Sequence, residues 1–295
     1  MRSFILGTDW WTDCDDAVAL RILCRFVREK KARLLGIGIN ACMEYSVASV
    51  RGFLAAEGIE GIPIGIDLEA TDYGGEPPYQ ERLAKDYAPE ITNADAIDAV
   101  RLYRQILAAA TEKIELIEVG YPQVIAAVLQ SGADDICQKS GLELVRERVS
   151  KIWMMAGKWD DAVGFENNFR RNARSCAAGA AFCSLCPVPV TFLGYEAGKS
   201  VISGGARAGK EDHLSRVMED YGAPQGRSSW DPMLVLMALI GDEERAGYKT
   251  VVGTASVDAQ DGSNRFEACA NGKHAFVIKN RADAEFEAQI RSVLD

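Results

Sequence analysis

The chain has 295 residues, 48% of them hydrophobic and 26% charged, enough apolar mass for a full core and too much for a disordered chain. Its 43 Asp and Glu outweigh 33 Lys and Arg, and the resulting charge of −10 excludes a general nucleic-acid binder, which needs a cationic footprint. No apolar run approaches the roughly 20 residues that span a bilayer, and the opening MRSFILGTD meets acids before a secretory apolar region can form, so a cytoplasmic protein is expected.

Continuous apolar runs at Phe4–Gly7, Leu34–Asn40, Ile114–Gly120, Ile152–Gly157 and Val190–Tyr195 predict strands buried on both faces. Amphipathic stretches separate them. In Asp16–Lys30, Ala17, Leu20, Leu23, Cys24 and Val27 recur at helical spacing, and Ala94–Thr111 and Val124–Gln130 read the same way. This β-α-β-α order predicts an α/β fold: an open, mainly parallel, Rossmann-like sheet with helices on both faces. Tyr73–Tyr79 and Ser203–Gly209 are loops by their Gly and Pro content, and one domain over residues 1–295 is expected. The tail after Asp242, including Val257–Arg265, is expected to form sheet edge and loop, or to line the site. The eight cysteines suit a reducing compartment; Cys183-x-x-Cys186 lacks the companions of a zinc site and reads as two buried thiols at a helix end.

In such sheets ligands bind beyond the C-terminal strand edge. Asp9, Asp13, Asp15 and Asp16 follow the first run, Asn40 the second, Gly120–Gln123 the third, and Lys158, Trp159, Asp160 and Glu166–Asn168 the fourth. Four aspartates within eight residues repel one another unless a cation sits among them, and hard cations take carboxylate and carbonyl oxygens. Helix capping by Asp13 or Asp15 accounts for one or two of them and leaves Asp9 unexplained.

The stretch Thr8–Leu20 (TDWWTDCDDAVAL) resembles the N-terminal signature of the inosine–uridine-preferring nucleoside hydrolases in its longer form, D-x-G-T-D-x-D-D-A. Asn40, Glu166-Asn167-Asn168 and Trp230-Asp231-Pro232 match further family segments in order, and Gly120-Tyr-Pro-Gln-Val124 matches another more loosely. The resemblance implies hydrolysis of the N-glycosidic bond of ribonucleosides with one Ca²⁺, in a homodimer or homotetramer. It implies Asp9 as calcium ligand and general base, Asp16 and Asp231 as further ligands, and the Gln123 carbonyl as the last protein ligand. Asp15, Asn40, Glu166 and Asn168 would hold the sugar, with Asp231 touching it as well. Such chemistry is coherent: a cation positions diol and water, a carboxylate takes the proton, and nearby acids stabilise an oxocarbenium-like sugar.

The departures concern the loop and the base. Trp11 replaces a Gly, so a different loop turn is expected, and Asp160 stands at an Asn position near the sugar's 5′ end. Trp230 precedes Asp231 where pyrimidine-accepting members place a histidine, and neither His213 nor His274 falls in a matching segment. The purine-selective branch also has Trp there and stacks the base, so Trp10, Trp11 and Trp230 are candidate stacking residues, Trp159 less so. Two alternatives stand beside this reading: a member that binds a nucleoside or pentose without turnover, and a Mg²⁺-dependent phosphohydrolase, for which the second Asp of D-x-D is missing. Gly204–Lys210 resembles a P-loop but continues with Glu211 instead of Ser or Thr. Glu196 follows a strand, and a hydrogen bond to a loop backbone is expected of it.

Overall fold

The computed structural model describes residues 1–11, 13–205 and 212–294. The apolar runs become the middle of one ten-stranded sheet. Its strands are β1 (Arg2–Thr8), β2 (Ala32–Ile39), β3 (Ile64–Ile66), β4 (Ile97–Asp98), β5 (Ile114–Glu118), β6 (Val149–Met155) and β7 (Val190–Leu193), then β10 (Tyr248–Val257), β11 (Asn264–Ala268) and β12 (His274–Lys279). Short strands β8 (Ile202–Ser203) and β9 (Arg227–Ser228) pair separately. The sheet order is β11-β10-β12-β7-β6-β5-β1-β2-β3-β4. Neighbours run parallel except where β10 meets β11 and β12. The α/β, mainly parallel expectation is met.

The helices are α1 (Asp15–Arg28), α2 (Ser46–Ala56), α3 (Gln80–Tyr87), α4 (Ala99–Ala109), α5 (Gln123–Gln130), α6 (Gly141–Arg148), α7 (Asn167–Arg170), α8 (Ala173–Leu185), α9 (Tyr195–Gly198), α10 (His213–Tyr221), α11 (Trp230–Ile240), α12 (Glu243–Ala246) and α13 (Asp283–Leu294). The helix expected over 94–111 starts only at Ala99. Before it, Ile97 and Asp98 pair with Gly65 and Ile66, and this sheet-edge pairing overrides the local helical period. The Asp98 side chain then caps α4 by accepting from the Arg101 N–H at 2.8 Å.

The tail is more than edge and loop. β11 is the edge strand, but β12 lies inside the sheet against β7. Phe266 and Phe276, on these two strands, pack on Trp159 with ring centres 5.7 and 6.1 Å away. Cys183 and Cys186 are free and buried at the end of α8, as expected. Glu196 accepts from the Trp159 N–H at 3.2 Å, the loop-backbone bond anticipated for it. Within Gly204–Lys210 only Gly204 and Gly205 are described, and the rest of that P-loop-like segment, with Glu211, lies outside the described residues. Among the described residues no helix is long and apolar enough to cross a membrane.

Strand β1 separates the halves of the sheet: β2, β3 and β4 follow on one side, β5, β6 and β7 on the other. That reversal opens a crevice beyond the C-terminal ends of β1 and β5. Helices α1 and α11, which pack against each other, bring their N-termini to it.

Candidate functional site

A cavity of about 190 Å³ occupies this crevice. Its floor is acidic: Asp9 leaves β1, Asp15 and Asp16 open α1, and Asp231 stands in the first turn of α11. Carboxylate oxygens of Asp15, Asp16 and Asp231 all lie within 4.8 Å of one another, and each residue is buried. Asp15 and Asp16 are not helix caps. Cys14 occupies the N-cap of α1 without a side-chain bond, so the capping account of the acid cluster fails.

Backbone and hydroxyl donors hold these acids. Asp16 Oδ1 accepts from the Thr8 hydroxyl and from the Trp10 N–H at 3.3 Å. Asp9 Oδ1 accepts from the Trp11 N–H at 3.2 Å, and Asp15 Oδ2 from the Asp231 N–H at 3.1 Å. Burial first, and then neighbouring aspartates, pushes Asp9, Asp15 and Asp231 well above the ordinary carboxylate range. Burial also raises Asp16 to about 7, although the Thr8 bond opposes it.

The loop after β1 takes its left-handed turn at Trp10, one residue before the family's Gly position. Trp10 has φ +50°, a left-handed conformation that bulky residues rarely adopt, whereas Trp11 in the family's Gly position is not left-handed. The surroundings over-determine Trp10. Its carbonyl accepts from Tyr79 Oη at 3.1 Å and Gln80 Nε2 at 2.7 Å, and its indole N–H donates to Ser49 Oγ at 2.9 Å. Trp10 is therefore fully buried against Phe53 and Tyr79 and does not line the cavity, which corrects its assignment as a stacking residue. Trp159 is likewise buried in the core, between Phe192 and Phe276.

Trp11 and Trp230 do line the cavity. Arg171 lies 4.8 Å over the Trp11 ring, whose N–H donates to the Gly75 carbonyl at 2.5 Å. Trp230 stacks on Tyr195 at 5.5 Å and 22°, and donates to the Tyr195 carbonyl at 2.7 Å. A Cβ on Gly198 would lie 2.4 Å from Trp230 Cδ1, so that glycine lets α9 close on the indole.

Glu166 and Asn168 also line the cavity. Glu166 accepts from the N–H groups of Asn168 (2.9 Å) and Gly157 (3.0 Å), and burial raises it to about 7. Asn168 Nδ2 donates to the carbonyls of Met155 (2.9 Å) and Val119 (3.1 Å), tying the ends of β5 and β6 together. Asn40 is fully buried behind the cavity: its Oδ1 accepts from the Tyr121 N–H at 2.9 Å, and its Nδ2 has no partner among the described residues. Gly120 permits this approach, because a Cβ there would lie 2.3 Å from Asp9 N and 2.4 Å from Asn40 Oδ1.

Two expected residues stand apart from the cavity. Asp160 is exposed and pairs with Lys158 at 2.5 Å, so the extra acid expected at the sugar is a surface ion pair. Gln123 starts α5 and is not among the residues lining the cavity; its side chain donates to the Asn40 carbonyl, and its own backbone carbonyl, the ligand atom expected of it, takes no part in that bond.

Sequence reasoning missed Tyr195 and Arg227. Tyr195 follows β7 as Asp9 follows β1, so the strand-end rule could have found it. Arg227 is the cavity's one cation among the described residues and binds Asp13 with Nη2–Oδ2 at 2.7 Å; a basic residue just before the matched Trp-Asp-Pro was its signal.

No family model and no curated sequence matches the chain. Solved structures do. An inosine-uridine preferring nucleoside hydrolase from Bacillus anthracis aligns over 100% of this chain and 99% of its own, with 13% identity and a TM-score of 0.69. A purine-preferring ribonucleoside hydrolase from Gardnerella vaginalis aligns over 99% of both chains, with 16% identity and a TM-score of 0.70. The type III effector protein XopQ, complexed with adenosine diphosphate ribose, aligns over 99% of this chain and 93% of its own, with 14% identity and a TM-score of 0.66. From end to end, the chain has the fold of the nucleoside hydrolases.

Proposed function

We propose that residues 1–295 form one nucleoside hydrolase-like domain that splits the N-glycosidic bond of ribonucleosides, with a leaning toward purines, and that it works as a homo-oligomer. The observation that carries this reading is the convergence of Asp15, Asp16 and Asp231, buried and, among the described residues, without a paired cation, under an aromatic wall. Such a donor set fits a hard divalent cation, since oxygen ligands are what calcium takes and a bound charge would offset the burial, and then the mutual repulsion, that raise these acids. Asp15, Asp16 and Asp231, with Asp9 beside them, would hold Ca²⁺. When bound, the ion supplies Lewis acidity and a fixed point for a sugar diol.

The chain's own groups do the rest. Asp9, fixed by the Trp11 N–H, accepts the proton of the attacking water. Glu166 and Asn168 are already oriented by backbone bonds and meet the sugar hydroxyls with little ordering cost. Carboxylates under the sugar stabilise positive charge as the C–N bond breaks. Trp11 and Trp230 offer flat faces to a base. The purine leaning is supported by the histidines: His213 binds Glu57, and His274 Nδ1 accepts from the Ala255 N–H, both away from the cavity lining.

The test is release of free base and ribose from inosine, adenosine, uridine and 2′-deoxyinosine. Faster release from the purine ribosides, and little from the deoxyriboside, is the expected result. Absence of release with measurable nucleoside binding would favour a second reading, a binding protein without turnover, which draws on the likeness to an effector whose structure holds adenosine diphosphate ribose. Phosphate release from p-nitrophenyl phosphate with Mg²⁺, without base release from the nucleosides, would support a phosphohydrolase instead.

A further inference from the structure

The aromatic wall of the cavity carries a charge that the acid floor does not use. Arg227, on β9, lies three residues before Trp230, and its Cζ stands 5.6 Å from the Trp230 ring centre. Asp13 grips one edge of the guanidinium: Nε at 2.9 and 2.8 Å, Nη2 at 2.7 Å. Nη1 has no hydrogen-bond partner among the described residues, although the side chain is only 38% exposed. An arginine clamped on one edge and open on the other presents its remaining donors in a fixed direction. The clamp also explains Asp13. Of the four aspartates in the loop, it is the one committed to a side-chain cation, which separates it from the group that converges on the floor.

We propose that Arg227 is the leaving-group residue of this site, donating from Nη1 to the departing base where a histidine would otherwise stand. The proposal rests on the hydrolase reading above. As the C1′–N bond breaks, its electron pair goes to the base nitrogen, and the guanidinium stabilises the negative charge gathering on the ring. The hydroxyl of the attacking water joins C1′, and its proton passes to Asp9. Arginine does not give up its own proton, so the released base takes one from solvent. Trp230, stacked on Tyr195, lines the same cavity as the guanidinium and offers the base an aromatic neighbour there. Purines, with acceptor nitrogens in both rings, suit a fixed donor better than pyrimidines.

Comparison of two substrates isolates this role. Inosine has a poor leaving group, whereas p-nitrophenyl riboside carries one that needs no help. In Arg227→Gln, kcat/KM for inosine should fall by ~10²-fold, the usual cost of removing one fixed donor to developing charge, and the inosine-to-nitrophenyl ratio should fall nearly as far. Arg227→Lys, which keeps a cation but loses the fork, should give an intermediate ratio and guards against a folding defect in the first variant. An unchanged ratio in both variants would overturn the proposal and leave Arg227 as a brace for the loop. A wild-type protein that cleaves neither substrate would sink the hydrolase reading itself, and Arg227's part in it too.

Discussion

Two clefts open along the same edge of the sheet, and the larger is the less interesting chemically. The cleft above β3 and β4 encloses about 510 Å³, against about 190 Å³ for the cavity above β1 and β5. Both are lined by acids. In the larger one two of the three lining acids are already employed: Asp98 caps α4, and Asp67 faces Arg174 with Oδ2 and Nη1 3.5 Å apart. Arg174 opposes the upward push that burial gives Asp67. In the smaller one, Asp15, Asp16 and Asp231 share a few ångströms of space, and no side-chain cation among the described residues is paired with them. Volume shows where a ligand has room, while unrelieved buried charge shows where a ligand is needed.

Substitution of Asp9 should separate the clefts most sharply. Asp9→Asn is expected to lower kcat by ~10²- to 10⁴-fold with little change in melting temperature, the usual range for losing a general base. Base release that persists at the wild-type rate would remove Asp9 from that role.

A third buried acid tests whether protonation can stand in for a cation. Glu118 accepts from Tyr103 Oη at 2.9 Å, its Oε2 has no partner among the described residues, and burial raises it to about 8. Between the unfolded carboxyl's range near 4.5 and about 8, the folded chain keeps this proton and the unfolded chain releases it. Stability should therefore fall as pH rises through that window and level off above it, by on the order of a few kcal/mol. Denaturant titrations of Glu118→Gln should show a flatter profile; an unchanged slope would mean that Glu118 titrates normally.

Calcium should act on one cleft only. At ~100 times its dissociation constant it should stabilise the wild type by about 2.7 kcal/mol, seen as a raised melting temperature. Asp16→Asn should abolish that rise, and Asp67→Asn should leave it intact. A rise of equal size in both variants would place the ion elsewhere. The smallest effect belongs to the larger cleft: Asp98→Ala should cost about 1 kcal/mol through loss of the α4 cap, with base release unaltered.

Asp9, Asp15 and Asp16 were legible because they follow the first strand and open a helix, where chain order and sheet topology fix position, whereas Asp231 was reached only through the resemblance of Trp230-Asp231-Pro232. What the sequence hides is decided by distant partners. Trp10 and Trp11 are neighbours with opposite fates, because α2 and α3 supply Ser49, Phe53 and Tyr79 to draw the first inward. Asp160 reads as a site acid until Lys158 takes it to the surface. Arg227 gains meaning only through Asp13, 214 residues earlier, and the place of β12 inside the sheet depends on pairing with β7. Strong local periods predicted α1 and α5, yet the same reasoning overran into β4, where sheet pairing prevailed.

The division of tryptophans between wall and core gives the molecule a built-in optical reporter. Of its five, Trp11 and Trp230 border the cavity, while Trp10, Trp153 and Trp159 are buried elsewhere. A flat ligand entering the cavity would change the emission of the first two against a steady background from the other three. Occupancy can thus be followed by intrinsic fluorescence without a label, and Trp230→Phe and Trp11→Phe would assign the signal to one wall or the other.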